Sequence, residues 1–230
     1  MKPIQLMRYR SVASIQPPAS DPHWNSVVSL LHFDGLPGST TFIDVKGKTW
    51  VTGSGSPNLS SMEGTFRSGQ SLSIPTGNSY ISTSSSSDFE FPGDFTIEFD
   101  FYPTSSSTTH RAAIGGNIQG SFQIGTRNGK MAWWINNSGG INETELTVEL
   151  NTRSHFALWR SGGVIKSAIN GVVSSLNVNN TNLFPASDVQ TGYISSTYTL
   201  PGYMDELRIT KGVARYSSNF SPPNTPFPDG

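Results

Sequence analysis

Glu98 and Asp100 are the residues whose types and spacing come nearest to a known chemistry. They stand two apart in FTIEFDFYP (95–103), where Phe95, Ile97, Phe99 and Phe101 alternate with Thr96, Glu98, Asp100 and Tyr102. A period of two is a strand with one apolar and one polar face, so the two carboxylates share the polar face. Paired carboxylates on a strand are how several glycoside hydrolases cut sugars. The retaining mechanism needs a nucleophile and a proton donor about 5–5.5 Å apart, with the donor's pKa raised. Two carboxyls on neighbouring same-face positions both project outward and leave no distinct proton donor. The expectation is a solvated polar sheet face with no catalytic residue.

A second chemistry is sugar binding. MAWWINNSGG (131–140) joins Trp133 and Trp134 to Asn136 and Asn137. Aromatic faces stack on sugar rings, and amides offer both donor and acceptor to hydroxyls. Adjacent strand residues point opposite ways, so one Trp faces in and the other out. The outward Trp either meets a sugar or packs under a loop or against another subunit. Trp159, in ALWRSGG, reads as ordinary sheet packing. His23, His32, His110 and His155 show no metal-binding spacing, and no G-x-S-x-G elbow occurs. GSGSPN (53–58) lacks the Lys and the following helix of a phosphate loop.

These residues must be positioned by strands. The 230-residue chain has a charged fraction of 13%, against about 25% in ordinary soluble proteins. Ser, Thr, Gly, Asn and Pro take up the difference, the balance of many short strands and turns. SFQIGTRNGKMAWWIN reads as a hairpin turning at Asn128–Gly129, and HFALWRSGGVIKSAINGVVSS as two more, at Gly162–Gly163 and Asn170–Gly171. In ETELTVEL, Thr144, Leu146, Val148 and Leu150 alternate with polar residues, a half-exposed strand. In GYMDELRIT, Tyr203, Asp205, Leu207 and Ile209 fall on one face, which turns Asp205 inward if Leu207 and Ile209 face the core. A buried carboxylate needs a partner; capping a neighbouring loop's N–H groups would supply one. No helical stripe and no solenoid-length repeat is found.

The net charge is −1, so no basic field exists to hold a nucleic-acid backbone. No apolar run approaches the roughly 20 residues that span a membrane. Cysteine is absent, which removes disulfides, thiolate metal sites and a cysteine nucleophile. The first residues, MKPIQLMRYRSVASIQPP, hold no continuous apolar stretch, so no secretion signal is expected. Pro17, Pro18 and Pro22 favour an extended chain, and residues 1–25 read as an arm. Residues 26–223 read as one β domain, and the proline-rich residues 224–230 as a tail.

Three segments resemble the concanavalin A-like, laminin G-like jelly rolls: FPGDFTIEFDFYP, RSHFALWRSGGVIKSAINGVV and GYMDELRITKGVARYSSNFSPP. The ending GVARY…FSPP is similar to versions found in tailed-bacteriophage virion proteins. Asp100 stands where the family often has Trp, and the Trp expected before His155 is missing. The resemblance implies an all-β sandwich of two antiparallel sheets, with the extended N-terminal arm outside it. Glucanases of this fold carry an E-x-D-x-x-E strand motif; here its third carboxylate position holds Tyr102 or Pro103, so a hydrolase would lack its acid. Relatives hold a structural calcium whose ligands would here be Asp34, Asp205 and the carbonyl of Gly69. The resulting expectation is a non-enzymatic virion structural protein, a capsid decoration or tail-associated part. It would be fastened to other virion proteins by residues 1–25 and self-associate as a trimer or dimer. The alternatives are a carbohydrate-binding adhesin using Trp133, Trp134, Asn136 and Asn137, and a glycoside hydrolase.

Overall fold

The structure is a computed structural model that describes residues 20–62, 66–67, 69–75, 78–135, 140–192 and 199–230. The first strands in chain order are β1 (Val27–Leu31), β2 (Phe42–Ile43), β3 (Thr49–Ser54), β4 (Asn58–Ser61), β5 (Gln70–Ile74) and β6 (Tyr80–Ser86). Then come β7 (Phe95–Pro103), β8 (Arg111–Gly116), β9 (Phe122–Arg127), β10 (Lys130–Ile135) and β11 (Ile141–Thr147). The last are β12 (Ser154–Ser161), β13 (Val164–Ile169), β14 (Val172–Val173), β15 (Val178–Asn179), β16 (Ser187–Thr191) and β17 (Gly202–Lys211). They form two antiparallel sheets. Sheet A runs β14-β13-β12-β7-β17-β5-β4, with β1 on β17 and β15 on β13; sheet B runs β11-β10-β9-β8-β16-β6-β3-β2. This is the expected jelly-roll sandwich.

The core lies between the sheets. Phe95, Ile97, Phe99 and Phe101 of β7 are all fully buried in it, as their alternation requires. Phe99 stacks on Phe156 of β12 with ring centroids 5.2 Å apart. The three expected hairpins pair β9 with β10, β12 with β13, and β13 with β14. At the first, Asn128 and Gly129 have φ of 53° and 69°, the left-handed pair that a type I′ turn demands. ETELTVEL is strand only to Thr147, and Leu150 lies beyond it at 42% exposure.

Strand β17 departs from simple alternation. Its register against β7 shifts between Asp205 and Arg208, and Glu206 takes φ 53°. An extra residue on one strand is a β-bulge, and it re-phases every side chain beyond it. Met204 therefore joins Leu207 and Ile209 in the core. The expected face of Tyr203, Asp205, Leu207 and Ile209 is corrected by that one residue.

The outer face of sheet A is covered by the chain's own ends. Ala157, Trp159 and Ala168 are buried there beneath Tyr216 and Phe220, whose rings stack at 3.6 Å. Nearby, Phe227 packs with Val27, Leu30 and Trp24. The Asp21 N–H donates to the Gly230 carbonyl at 2.7 Å. Residues 1–19 of the expected arm lie outside the described residues, but Asp21 is 6% exposed. Of residues 224–230, expected as a tail, Phe227 is 3% exposed.

Candidate functional site

The strand carboxylates do not face solvent. Glu98 and Asp100 are 0% and 1% exposed, because the covering segments close over them. The expectation of a solvated polar face fails for that reason: alternation reports which way a side chain points, not what covers it.

Burial without water demands partners, and arginines supply them. Arg208, on the neighbouring β17, donates from Nε and Nη2 to Glu98 Oε1 at 3.0 and 2.9 Å. Tyr216 Oη donates to Glu98 Oε2 at 2.6 Å, and His155 Nε2 lies 3.3 Å from the same oxygen. Arg208 Nη1 also donates to Asp21 Oδ2 at 3.0 Å. Arg215 grips both Asp21 oxygens at 3.0 and 2.8 Å. The Phe227 ring lies 3.7 Å from the Arg208 guanidinium carbon and shields the group. Asp100 is held separately: Arg67 Nη2 donates to its Oδ1 at 3.0 Å, and Arg67 Nε lies 2.9 Å from its Oδ2.

The charges follow from these contacts. Burial alone would raise the Glu98 pKa, but the Arg208 charge, with His155 and Tyr216, outweighs it and holds the carboxyl well below the usual range. A group kept ionised cannot donate a proton at the pH where sugars are cut. Asp100 is shifted up, burial prevailing over Arg67. Its neighbour Tyr102 is half-buried and packs edge-on against Tyr203. Burial at 0% and 1% therefore leaves no exposed acid and nucleophile pair.

Asp205 is fully buried, and among the described residues its oxygens make no well-formed hydrogen bond, the Glu206 N–H alone bearing on them. The loop-capping role is therefore absent. Burial, then the charges of Glu206, Asp100 and Asp34, push its pKa up to about 9. Asp34 is exposed, and Gly69, at φ 81°, accepts the Met62 N–H on its carbonyl at 2.8 Å. Among the described residues no group of three or more His, Asp and Glu side chains is placed to hold a metal. Two carboxylates and a carbonyl are hard oxygen donors, and the orphaned Asp205 oxygens fit a hard cation. Beside them, His32 joins Glu206 to Asp229 at 2.8 and 2.7 Å. A cleft of about 550 Å³ there is lined by His32, Asp34 and residues 225–229.

The tryptophan pair divides as alternation requires. Trp133 is fully buried in the core, which removes it from any sugar site. Trp134 faces outward on sheet B, half-buried, opposite Gln123 of β9 and Ile141 of β11. Asn136 and Asn137 lie outside the described residues.

Sequence reasoning missed Asp21, Arg67 and Phe227, and took Arg215 and Tyr216 only as part of the GVARY ending, without naming their partners. The available signal was Arg208 and Arg215, two cations close together at the last strand of a charge-poor chain.

A family model described as the concanavalin A-like lectin/glucanases superfamily matches residues 75–215. No curated protein sequence matches the chain. Among solved structures, domain 4 of AbnA, a GH43 extracellular arabinanase from Geobacillus stearothermophilus in complex with arabinotriose, is similar with TM-score 0.65 and 17% identity. That likeness covers 81% of this chain and 93% of the other. The botulinum neurotoxin serotype D binding domain is similar with TM-score 0.60 and 13% identity, over 87% of this chain and 50% of that one. Trypanosoma rangeli sialidase in complex with the inhibitor DANA is similar with TM-score 0.57 and 11% identity, over 88% of this chain and 31% of the enzyme. The chain thus spans half or less of the toxin and sialidase structures. At these identities the likeness is one of fold.

Proposed function

The chain belongs to the concanavalin A-like lectin/glucanases superfamily, and on that footing we propose that it is a non-enzymatic virion structural protein whose lectin-like sandwich binds carbohydrate. The observation that carries the non-enzymatic reading is the burial of Glu98 and Asp100 among arginines. The strand that serves glucanases as a catalytic element is here a seam fastening the chain ends. Carbohydrate binding is supported by the fold and by the arabinotriose complex of the similar arabinanase domain. The virion role rests on the GVARY…FSPP ending, with residues 1–25 as the attachment to other virion proteins. Self-association as a trimer or dimer would cover the terminal strand β11 of sheet B.

The position of Asp21 refines the attachment. Because Asp21 is pinned by Arg208 and Arg215, the attachment is assigned to residues 1–19. A chain lacking residues 1–19 is expected to keep its denaturation midpoint and to fail to enter virions when supplied in place of the full chain. Normal incorporation of the shortened chain would refute the arm's role.

Calcium belongs to the same reading. Asp34, Asp205 and the Gly69 carbonyl would hold it, and it would neutralise the carboxylate that the fold leaves unpartnered.

A further inference from the structure

The two outer faces of the sandwich are unlike. That of sheet A is sealed by the chain ends; that of sheet B carries Trp134. The register lets Trp134 be followed across the sheet, since residues directly opposite in an antiparallel pair share a face. Trp134 stands opposite Gln123, Gln123 opposite Gly115, and Gly115 opposite Gln190. Gln190 stands opposite Ser82, and Ser82 opposite Val51. Their chain neighbours Trp133, Ile124, Ile114, Val189, Ile81 and Trp50 are all in the core, so this row points outward. Six strands, at a spacing of about 4.8 Å, make the row roughly 24 Å long.

The chemistry of the row is of one kind. It holds one indole, two carboxamides, one hydroxyl and no charge. Val51 is 51% exposed at one end, Trp134 is half-buried at the other, and Gly115 and Gln190 are buried between them. The row is thus recessed at its centre, where the glycine presents no side chain. Gln190 donates from Nε2 to Asp188 Oδ2 at 2.9 Å, while among the described residues its Oε1 has no hydrogen-bond partner at 6% exposure. An unpaired buried acceptor costs stability unless something meets it.

From this juxtaposition we infer that the row from Trp134 to Val51 on sheet B is a binding site for a neutral oligosaccharide several residues long. Trp134 takes the apolar face of a sugar ring, and Gln123, Gln190 and Ser82 exchange hydrogen bonds with hydroxyls, each able to donate and accept. Neutrality follows from the absence of a cation in the row among the described residues. Asp188 adjoins the row, and the nearest basic pair on this face, Lys130 opposite Arg127, lies four residues along the strand, with Arg127 3.7 Å from Glu143. A sialylated or sulfated glycan would meet a carboxylate and no counter-charge.

This inference rests on the carbohydrate-binding reading above, and one experiment separates the two. The full chain is applied to an array of neutral, sialylated and sulfated oligosaccharides, beside Trp134→Ala, Trp134→Phe and Gln123→Ala. Circular dichroism and melting curves check that each variant is folded. The wild type is expected to retain neutral glycans. Trp134→Ala should weaken binding at least about tenfold, as loss of an aromatic anchor does. Gln123→Ala should weaken it less, and Trp134→Phe should keep part of it. Binding that survives both alanine changes would overturn the site and leave the carbohydrate reading standing. Preference for sialylated or sulfated glycans would overturn the ligand class. No binding by the wild type would overturn both the site and the reading beneath it.

Discussion

Arg208→Ala should lower the unfolding free energy by about 3–5 kcal/mol, the cost of removing one partner from a buried ion pair. The alanine removes both hydrogen bonds to Glu98 Oε1, one of the grips on Asp21, and the cation beneath the Phe227 ring. Glu98 would be left fully buried with Tyr216, His155 and, at 3.7 Å, Arg215 Nε as its near partners. An exposed pair would lose only about 0.2–1 kcal/mol, so the size of the effect is itself informative. Urea denaturation at neutral pH reads it. Adding Glu98→Gln to Arg208→Ala should cost less than Glu98→Gln costs alone, because the stranded charge is removed with its partner gone. A loss below about 1 kcal/mol for Arg208→Ala would mean that the seam is loose and wet.

Asp205→Asn should have the opposite sign. With a folded pKa pushed up to about 9, Asp205 must take up a proton when the chain folds at neutral pH, a cost that an amide of the same shape does not carry. In the presence of a chelator the variant is expected to be more stable than the wild type by about 1–3 kcal/mol. Millimolar calcium should raise the wild-type melting temperature and leave the variant unmoved, since an ion bound only by the folded state stabilises it. Identical wild-type melting in calcium and in chelator would dismiss the ion. A variant less stable than the wild type in chelator would mean that Asp205 has a partner.

Much of the fold was legible because its signals are local. The β7 alternation, the Asn128–Gly129 turn and the hairpins of residues 155–173 each depend on a few adjacent residues. What was illegible depends on residues far apart. No local pattern says that Asp21, 187 positions from Arg208, returns to bond it. Likewise the closure of Phe227 over Arg208 is a matter of tertiary packing. The β17 bulge was invisible for another reason: it is carried by Glu206 at φ 53°, where a glycine would have announced a left-handed residue. The tryptophan pair was half legible. Alternation predicted that one ring is inside, and core packing selected Trp133.

Glu98 sits in a sealed ion pair, and its ionisation is the quantity to measure. A carboxyl whose folded pKa is depressed contributes stability that is present above its unfolded pKa and lost as pH falls toward the folded value. Glu98 is depressed by Arg208, His155 and Tyr216 against the opposing effect of burial. Its carboxyl carbon, followed by NMR as the folded protein is acidified, is predicted to stay ionised well below the ordinary glutamate range, until the protein unfolds. A Glu98 carboxyl that titrates in the folded state at or above the ordinary glutamate value of 4.5 would contradict the account, because that is the behaviour of a catalytic acid and not of a sealed ion pair.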